Sequence, residues 1–317
     1  MDGPAVTGPR VLLLESVHPD AHAELSASAD TCLAPSPDAD LPGLEDVRAI
    51  ITRGRGRVND ALFARCPALE VVARAGVGLD NVDLEAAARR GVAVLNVPDA
   101  LTETVAEHAL TLALAARRQV VMSANDARGG RWEERASYSG EMIAGARTTV
   151  VGLGAIGARA AALLRAIGAE VTTWSRTHRE DAGFEPDLAR ALDGADVVSL
   201  HVALTDETRG LLDAPLLERL APGATIVNTA RPAVVRQAAV LAALESGRVG
   251  AYAVDGFEPE PPDPADPLLA HPGVIVTPHV AALTRTTYRD LCLATVRGVL
   301  AVLGGEEPSG GAQRVRS

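Results

Sequence analysis

Short apolar segments alternate with amphipathic segments along most of this chain. Over the first hundred residues the apolar segments are rich in β-branched residues, which favour strands, and the segments between them repeat their apolar positions at helical spacing. The predicted strands cover residues 11–14, 47–52, 70–73 and 92–96, and the predicted helices cover residues 61–66 and 84–90. Because strands that alternate with helices pair in parallel, this part of the chain is predicted to form a doubly wound parallel sheet.

A second series of strands and helices follows a long helical pattern. That helix is predicted over residues 102–129, with Thr102 or Thr104 as its N-cap and acidic residues in its first turn. The predicted strands of the second series cover residues 148–152, 170–174, 197–201, 225–228, 251–255 and 274–277. Six strands separated by helices match a complete dinucleotide-binding domain.

The last helical pattern sets the order of the domains. It covers residues 285–303 and has to return to the first series of strands. The predicted nucleotide domain, residues 102–283, is therefore inserted into a substrate domain made of residues 1–101 and 284–317. The tail, residues 304–317, is rich in Gly, Glu, Ser and Arg and is predicted to be frayed.

The first strand of the second series ends in a glycine-rich turn, Gly152-x-Gly154-x-x-Gly157, which leads directly into a helix-forming segment. Gly152 permits a tight turn, Gly154 lets a pyrophosphate approach the backbone, and Gly157 lets the helix pack close to the sheet. The helix-forming segment covers residues 158–167, and Ala155 and Ile156 lie in the turn before it. The helix N-terminus offers N–H groups and a positive dipole end to phosphates. These five residues are predicted to contact a dinucleotide.

The residues after the second strand of this unit bear on the choice of cofactor. A site that prefers NAD usually carries Asp or Glu about 20 residues beyond the glycines, where the carboxylate accepts hydrogen bonds from the ribose. This chain has Ser175-Arg176-Thr177 there instead. A carboxylate would repel a 2′-phosphate, whereas a hydroxyl and a guanidinium bind it through charge-assisted hydrogen bonds. We therefore predict NADP(H), with NAD(H) as the alternative.

Composition and charge exclude several classes of protein. No segment approaches the ~20 uncharged apolar residues of a membrane span, and the N-terminus lacks the pattern of a signal peptide. The net charge of −11 argues against a nucleic-acid surface, and three scattered cysteines fit reduced thiols. All 30 cationic residues are arginines, which excludes Schiff-base chemistry on a lysine. The chain is predicted to be a cytoplasmic protein without a metal site.

Three further motifs follow predicted strands of the second series, at the edge where ligands bind in open α/β sheets. They are Asn228-Thr-Ala-Arg231, Asp255-Gly-Phe-Glu-Pro-Glu260 and Thr277-Pro-His279. Together they resemble the D-isomer-specific 2-hydroxyacid dehydrogenase family, which includes phosphoglycerate dehydrogenases and glyoxylate/hydroxypyruvate reductases. The resemblance covers residues 47–303. It implies an α/β fold of two doubly wound parallel-sheet domains, with a Rossmann nucleotide-binding domain inserted into a flavodoxin-like substrate domain.

The resemblance assigns the reaction to three side chains. Arg231 matches the arginine that binds the substrate carboxylate and polarises the 2-oxo oxygen, and its planar fork suits a carboxylate. His279 matches the general acid and base that exchanges a proton with that oxygen. Glu260 matches the partner carboxylate, which favours the imidazolium and orients the ring.

Binding residues are implied in the same way. Asp255 matches the anchor of the nicotinamide carboxamide, and Gly76, Val77 and Gly78 match a loop whose N–H groups hold the substrate carboxylate. Arg53 matches a position that reaches the distal group of the substrate. The other residues of the implied cofactor site are His201, Val202, Thr208, Thr229 and Ala230.

The sequence departs from the family's pattern at three positions. Pro232 stands where a glycine usually follows the arginine, and it fixes φ and removes an N–H. Arg236 replaces a usual acidic residue, and Ala203 stands where a proline is common. Because the catalytic side chains are retained, we interpret these departures as tuning.

The leading hypothesis is an NADP(H)-dependent reductase of a small 2-oxo acid such as glyoxylate or hydroxypyruvate. Arg53, Arg55 and Arg57 alternate, so in an extended segment they share one side and could meet a second anion, such as phosphate, phosphonate or carboxylate. A solvated basic loop is the alternative interpretation of the same pattern.

The resemblance also implies a homodimer formed through the helix over residues 102–129 and the arm over residues 131–142.

Three other functions stay open. One is an NAD-dependent dehydrogenase of the phosphoglycerate type. A second is a formate dehydrogenase, but that branch of the family carries glutamine at the position of Glu260. The third is a non-catalytic, nucleotide-sensing protein like the corepressors that share this fold, which measurable turnover would exclude.

Overall fold

The computed structural model describes residues 8–36, 39–308 and 311–315. Its backbone contacts divide the chain into two compact units, one made of Met1–Leu101 with Leu283–Ser317 and the other of Thr102–Ala282. The strands are β1 Arg10–Leu13, β2 Asp30–Leu33, β3 Val47–Thr52, β4 Val71–Arg74, β5 Ala93–Asn96, β6 Arg147–Val151, β7 Glu170–Trp174, β8 Val197–Leu200, β9 Ala224–Asn228, β10 Val249–Asp255, β11 Val274–Thr277 and β12 Gln313–Arg314. The helices are α1 Pro19–Ser26, α2 Asp60–Arg65, α3 Leu84–Arg90, α4 Thr102–Arg117, α5 Val120–Arg128, α6 Ala155–Ala166, α7 Leu188–Leu192, α8 Ala214–Leu217, α9 Gln237–Glu245, α10 Pro267–Ala270 and α11 Arg285–Leu303. The assignment of substrate and cofactor binding to the two units stays a prediction.

The first unit contains a six-stranded sheet in the order β2-β1-β3-β4-β5-β12. Its first five strands are parallel, and their order is the flavodoxin-like one. The predicted doubly wound parallel sheet is therefore confirmed. The sheet is nevertheless mixed, because β12 pairs antiparallel with β5, with Gln313 opposite Asn96.

Two edge strands of this sheet were not predicted. β2 has no buried residue and no alternation of polar and apolar side chains, so its sequence carries no strand signal. The tail was predicted to be frayed, and this is wrong at β12, where backbone pairing with β5 supplies the order that the sequence does not indicate. The tail residues 309–310 and 316–317 lie outside the described part of the chain.

Successive residues of the central strands face opposite sides of this first sheet, as the pleat requires. Leu12 and Ile50 pack with Phe63 of α2 in one buried cluster. Val11 and Ile51 pack with residues of α11 in the other. Burying apolar side chains on both faces is the reason that these strands read as continuous apolar runs.

The second unit contains an all-parallel sheet in the order β7-β6-β8-β9-β10-β11. The six predicted strands are confirmed, with ends that differ by at most two residues. Beyond β7, Phe184 forms an isolated parallel bridge with Thr173. With that bridge in the place of a third strand, the beginning of the sheet follows the 3-2-1-4 order of a Rossmann fold.

Small side chains let two helices approach one face of this sheet closely. Ala109 and Ala113 of α4 and Ala161 of α6 pack in one buried cluster with Val150 and Ala253 of the strands. A larger cluster that includes Leu200, Ile226 and Val254 covers the other face. Both faces of the second sheet are therefore buried, as in the first.

The prediction of one helix over residues 102–129 is wrong. α4 ends at Arg117, and Gln119 has a left-handed backbone with φ 49°, after which α5 begins. A left-handed residue cannot continue a right-handed helix, so the chain turns there although the composition stays helical. The arm that follows contains a 3₁₀ helix, Trp132–Ser137.

Among the described residues, none of the helices has the length and apolar character that a membrane span requires.

Candidate functional site

The glycine-rich turn links β6 to α6 as predicted, and the three glycines differ in their surroundings. Gly152 has φ 101°, and a Cβ placed on it would lie 2.7 Å from the backbone carbonyl of His201. A Cβ on Gly157 would lie within 2 Å of the carbonyl oxygen of Gly152, so no larger residue fits there. A Cβ on Gly154, by contrast, would meet no atom within 4 Å. The open space lies where the α6 N-terminus begins, which fits the approach of a phosphate.

The predicted 2′-phosphate residues have contacts of their own. The Ser175 hydroxyl donates to the Thr177 carbonyl. The Arg176 guanidinium lies 3.4 Å from the Glu207 carboxylate, and both side chains are exposed. A hydrogen bond from the Thr205 hydroxyl lowers the pKa of Glu207, and the charge of Arg176 adds a smaller effect in the same direction. The sequence did not predict the contact of Glu207 with Arg176, because Glu207 lies in the loop after β8, 31 residues beyond Arg176.

His201 directly follows β8 and Thr208 lies in the loop beyond it, and both have structural partners. The His201 ring nitrogen Nε2 lies 2.8 Å from the Ser199 hydroxyl, and burial lowers the pKa of His201 to about 4. The ring is therefore neutral at physiological pH. The buried Thr208 hydroxyl donates to the carbonyl of Ala203 and accepts from the N–H of Thr205. Thr208 thus shapes the loop, and its predicted contact with the cofactor stays a prediction, as do those of Val202, Thr229 and Ala230.

Arg231 follows β9 in a loop that Asn228 organises. The fully buried Asn228 amide donates to the carbonyl of Arg231 and accepts from the N–H of Ala230. The same amide donates to the Tyr252 hydroxyl. The sequence did not predict this role of Asn228, because its hydrogen-bond partners are apparent only in the structure.

Pro232 is accommodated in this loop without distortion. It occupies the first turn of a 3₁₀ helix, Pro232–Val234, for which Arg231 is the N-cap with extended backbone. Proline suits the first turn of a helix because the N–H that it lacks would have no partner within the helix. Arg236 is likewise the N-cap of α9, and its aliphatic stem packs over Gly210. Proline at position 232 therefore has a local structural reason.

Glu260 and His279 are in contact. The Glu260 Oε1 atom lies 3.2 Å from Nδ1 of His279 and accepts a hydrogen bond from the N–H of Phe257. The two side chains are partly exposed. Gly256 makes room for this pair, because a Cβ on it would lie 2.7 Å from Glu260 Oε1. The structure thus brings together the predicted acid/base and its predicted partner.

Strand register places these residues at one edge of the sheet. Asn228 at the end of β9 pairs with Val254, and Asp255 at the end of β10 pairs with Thr277. Arg231, Glu260 and His279 therefore all follow the carboxyl ends of neighbouring parallel strands, which is where open α/β sheets bind ligands.

The predicted substrate residues of the first unit also lie at carboxyl ends of strands. Arg53 follows β3, and its guanidinium stacks 4.8 Å from the centre of the Tyr288 ring and donates to the carbonyl of Ser16. The Glu15 carboxylate accepts from the N–H groups of residues 53, 54 and 55, which fixes the backbone of this loop. Tyr288 was not predicted, since it belongs to α11.

The predicted carboxylate loop, Gly76 to Gly78, follows β4. The Asn96 side chain donates to the Val77 carbonyl. Gly76 has φ 155°, and a Cβ on it would lie about 2 Å from the guanidinium of Arg74, which is buried. The loop can therefore run directly over this arginine only because Gly76 has no side chain.

Comparisons with known proteins agree with this geometry. The sequence profile of the NAD binding domain of the D-isomer specific 2-hydroxyacid dehydrogenases matches residues 110–281, all within the second unit. The glyoxylate reductase of Aeropyrum pernix is 33% identical over 316 residues, which are 95% of this chain and 94% of that protein. The chain belongs to the D-isomer specific 2-hydroxyacid dehydrogenase family.

Other members of the family extend the comparison. The D-3-phosphoglycerate dehydrogenase of Mycobacterium tuberculosis is 37% identical over 305 residues, 94% of this chain and 57% of the relative. This chain spans about half the length of several such relatives. The NADPH-dependent glyoxylate/hydroxypyruvate reductase of Sinorhizobium meliloti, solved with NADP and malonate, is 30% identical, covers 98% of this chain and all of its own, and superimposes with a TM-score of 0.88.

The glycine turn yields a paired test. Gly154→Ala should leave the thermal stability unchanged, because its Cβ points into open space, yet weaken dinucleotide binding about tenfold or more by blocking the phosphates. Gly157→Ala should instead lower the melting temperature, because its Cβ meets backbone. Calorimetry and fluorescence titration with NADPH measure both effects. Unchanged cofactor affinity in Gly154→Ala would show that the dinucleotide binds elsewhere.

Proposed function

We propose that this family member is an oxidoreductase that uses NADP(H) to interconvert a small 2-oxo acid and its D-2-hydroxy acid. The observation that carries the proposal is the contact of His279 with Glu260 at the carboxyl edge of the nucleotide-type sheet. A histidine held by a carboxylate is suited to proton exchange with a carbonyl oxygen.

Different residues of the chain are proposed to transfer the proton and to bind the substrate. The nicotinamide, when bound, supplies or accepts the hydride. Glu260 engages Nδ1 of His279, so we assign proton transfer to Nε2, which gives a proton to the carbonyl oxygen in reduction and removes it in oxidation. Arg231 binds the carboxylate through its planar fork and polarises the 2-oxo group.

The choice between NADP(H) and NAD(H) depends on a balance of charges. Arg176 favours a 2′-phosphate, and the Sinorhizobium reductase was solved with NADP. Glu207 opposes it, because its carboxylate pairs with the same guanidinium and would repel a phosphate. An exposed ion pair contributes about 1 kcal/mol or less, so the phosphate can displace it. We therefore expect a preference for NADPH together with measurable activity with NADH.

Arg53 supports a substrate that carries a second anionic group. Stacking on Tyr288 and the bond to the Ser16 carbonyl hold its guanidinium in one place, unlike a freely solvated side chain. Arg55 and Arg57, by comparison, are exposed. Relatives named as phosphoglycerate dehydrogenases are consistent with a phosphorylated substrate. We propose hydroxypyruvate or a phosphorylated or carboxylated 2-oxo acid, with glyoxylate as the smaller alternative.

The activity is tested first with a panel of acids. Glyoxylate, pyruvate, hydroxypyruvate, phosphohydroxypyruvate and oxaloacetate are each combined with NADPH and NADH, and the loss of absorbance is followed. We expect turnover, with a lower KM for the acids that carry a second anion. Arg53→Ala should raise the KM for those acids and leave glyoxylate unchanged, whereas Arg55→Ala is the matched control. Binding of NADPH without turnover of any 2-oxo acid would favour the nucleotide-sensing alternative.

The proposed pair of Glu260 and His279 can be tested with a double-mutant cycle. His279→Ala should lower kcat by about 10²–10⁴-fold, because it removes the general acid, with cofactor affinity retained. Glu260→Gln should lower kcat in the wild-type background but add little in the His279→Ala background, since the two side chains act as a unit. Strict additivity of the two effects would mean that Glu260 does not act through His279.

Cofactor preference is tested with a pair of opposite substitutions. Arg176→Ala should weaken NADPH binding by about 1–3 kcal/mol, the contribution of hydrogen bonds to a charged group, and leave NADH nearly unchanged. Glu207→Gln should strengthen NADPH binding by up to about 1 kcal/mol, with Asp206→Asn on the same loop as control. Titration of each variant with NADPH and with NADH measures the ratio of the two dissociation constants. A wild-type protein that strongly prefers NADH would overturn the assignment.

Exposed apolar side chains support a homodimer. Seven of the ten large apolar side chains that are exposed among the described residues lie between residues 114 and 142. They are Leu114, Val120, Val121, Met122, Trp132, Tyr138 and Met142. α5 buries none of its own residues. An apolar surface concentrated on one segment marks an interface, and we propose a second copy of this chain as the partner.

Light scattering tests the dimer directly. At micromolar concentration the wild-type protein should have twice the monomer mass. Val121→Asp with Met142→Asp should shift it to the monomer, because charges would be buried unpaired at the interface. Leu33→Asp, at an equally exposed apolar position on β2, should stay dimeric. A monomeric wild-type protein would contradict the proposal.

A further inference from the structure

The carboxylate of Asp255 lies at the end of β10, and its side chain is almost fully buried. Its Oδ1 atom accepts the Thr277 hydroxyl at 2.5 Å and the N–H of Val280 at 2.8 Å. Its Oδ2 atom accepts the N–H of Ala281 at 2.8 Å. These three donors come from the residues on either side of His279, so the carboxylate encloses the segment that carries the proposed acid/base.

His108 extends this group of hydrogen bonds from α4. Its Nε2 atom lies 3.1 Å from the Thr277 hydroxyl oxygen and 3.7 Å from Asp255 Oδ1. A hydroxyl has a single proton, and Thr277 gives it to Asp255. The contact with Thr277 therefore requires His108 to donate from Nε2. The hydrogen bonds run in one direction, from His108 through Thr277 to Asp255, and such chains strengthen their members.

His279 needs external support for its backbone. Its φ is 56°, a left-handed backbone conformation that residues other than glycine rarely adopt. Its N–H reaches back to the Thr277 carbonyl at 2.8 Å, which closes a tight turn. A strained residue persists only where the surrounding structure fixes it. Here the two N–H groups that follow His279 and the hydroxyl two residues before it all bind the Asp255 carboxylate.

We infer that Asp255, Thr277 and His108 form a brace that holds His279 in its left-handed conformation, and that Asp255 and His108 are positioning residues for the acid/base. The inference rests on the proposed function, in which His279 transfers the proton. It assigns to Asp255 a role different from the anchoring of the nicotinamide that the family resemblance implies. It also gives a role to His108, which lies on α4.

The two roles of Asp255 predict different kinetics. A carboxylate offers about four acceptor sites, and three are used within the brace, so at most about one remains for a carboxamide. If the brace dominates, loosening it displaces His279 and lowers kcat while the cofactor still binds. If anchoring dominates, the dissociation constant of NADPH rises and kcat at saturation changes little. His108 separates the cases further, because it contacts Thr277 at 3.1 Å and is not among the residues predicted to bind the cofactor.

The experiment compares His108→Leu, His108→Gln and Thr277→Val with wild type. Leucine removes the donor, glutamine replaces it with an amide N–H, and valine removes the hydroxyl at nearly constant shape. We expect kcat to fall about tenfold or more in the leucine and valine variants, since small displacements of a catalytic group are costly, and to recover most of its value in the glutamine variant. The dissociation constant of NADPH should stay within about twofold of wild type. His271→Leu, in the turn between α10 and β11, is the control for a general weakening of the strand.

A readout independent of turnover keeps this test separate from that of the proposed function. In protein labelled at its seven histidines, the imidazole resonance of His279 is assigned with His279→Asn. We expect His108→Leu and Thr277→Val to shift or broaden that resonance, and His271→Leu and His108→Gln to leave it in place. A change in NADPH affinity with unchanged kcat and an unmoved His279 resonance would overturn the brace. A moved resonance in a protein without turnover would retain the brace and reject only the proposed activity.

Discussion

Parallel pairing of β9, β10 and β11 is the constraint on which the candidate site depends. Parallel strands end at one edge of a sheet, so loops that are distant in the sequence begin side by side. The register that sets Asp255 next to Thr277 also sets the starting points of the loops that carry Glu260 and His279. Their contact at 3.2 Å therefore follows from backbone pairing first and from side-chain chemistry second.

The hydrogen bonds behind the site explain why polar residues occupy the ends of these buried strands. Asn228 and Asp255 are nearly inaccessible to solvent, and burial of an amide or a carboxylate is unfavourable unless its hydrogen bonds are made. Both side chains make them with loop backbone that has no partner in the sheet. The buried polar side chains and the backbone of the irregular loops thus satisfy each other's hydrogen bonds.

Local patterns predicted those features that depend on short stretches of sequence. The central strands, the glycine turn and the loops after β9 to β11 each have a signal within about ten residues, and they were predicted at nearly their observed positions. Edge strands β2 and β12 were missed because their order comes from a neighbouring strand and leaves no apolar pattern. The break at Gln119 was missed because a single left-handed residue does not change the helical composition around it. Glu207, Tyr288 and His108 were missed for another reason, since each acts on a residue that lies between 31 and 235 positions away in the chain.

Two arginines of the candidate binding sites, Arg53 and Arg176, differ in how firmly their contacts hold the guanidinium in place. Arg53 stacks on an aromatic ring and donates to a carbonyl, so its charge has a fixed position before any ligand binds. Arg176 is exposed and pairs with an exposed carboxylate, which solvent screens and a phosphate can replace. A fixed cation discriminates by shape, because a ligand whose anion lies elsewhere cannot reach it. An exposed cation in a weak ion pair discriminates only by charge, and weakly. On this argument the substrate should be the more strictly selected of the two ligands, and the cofactor the one for which the chain tolerates both forms.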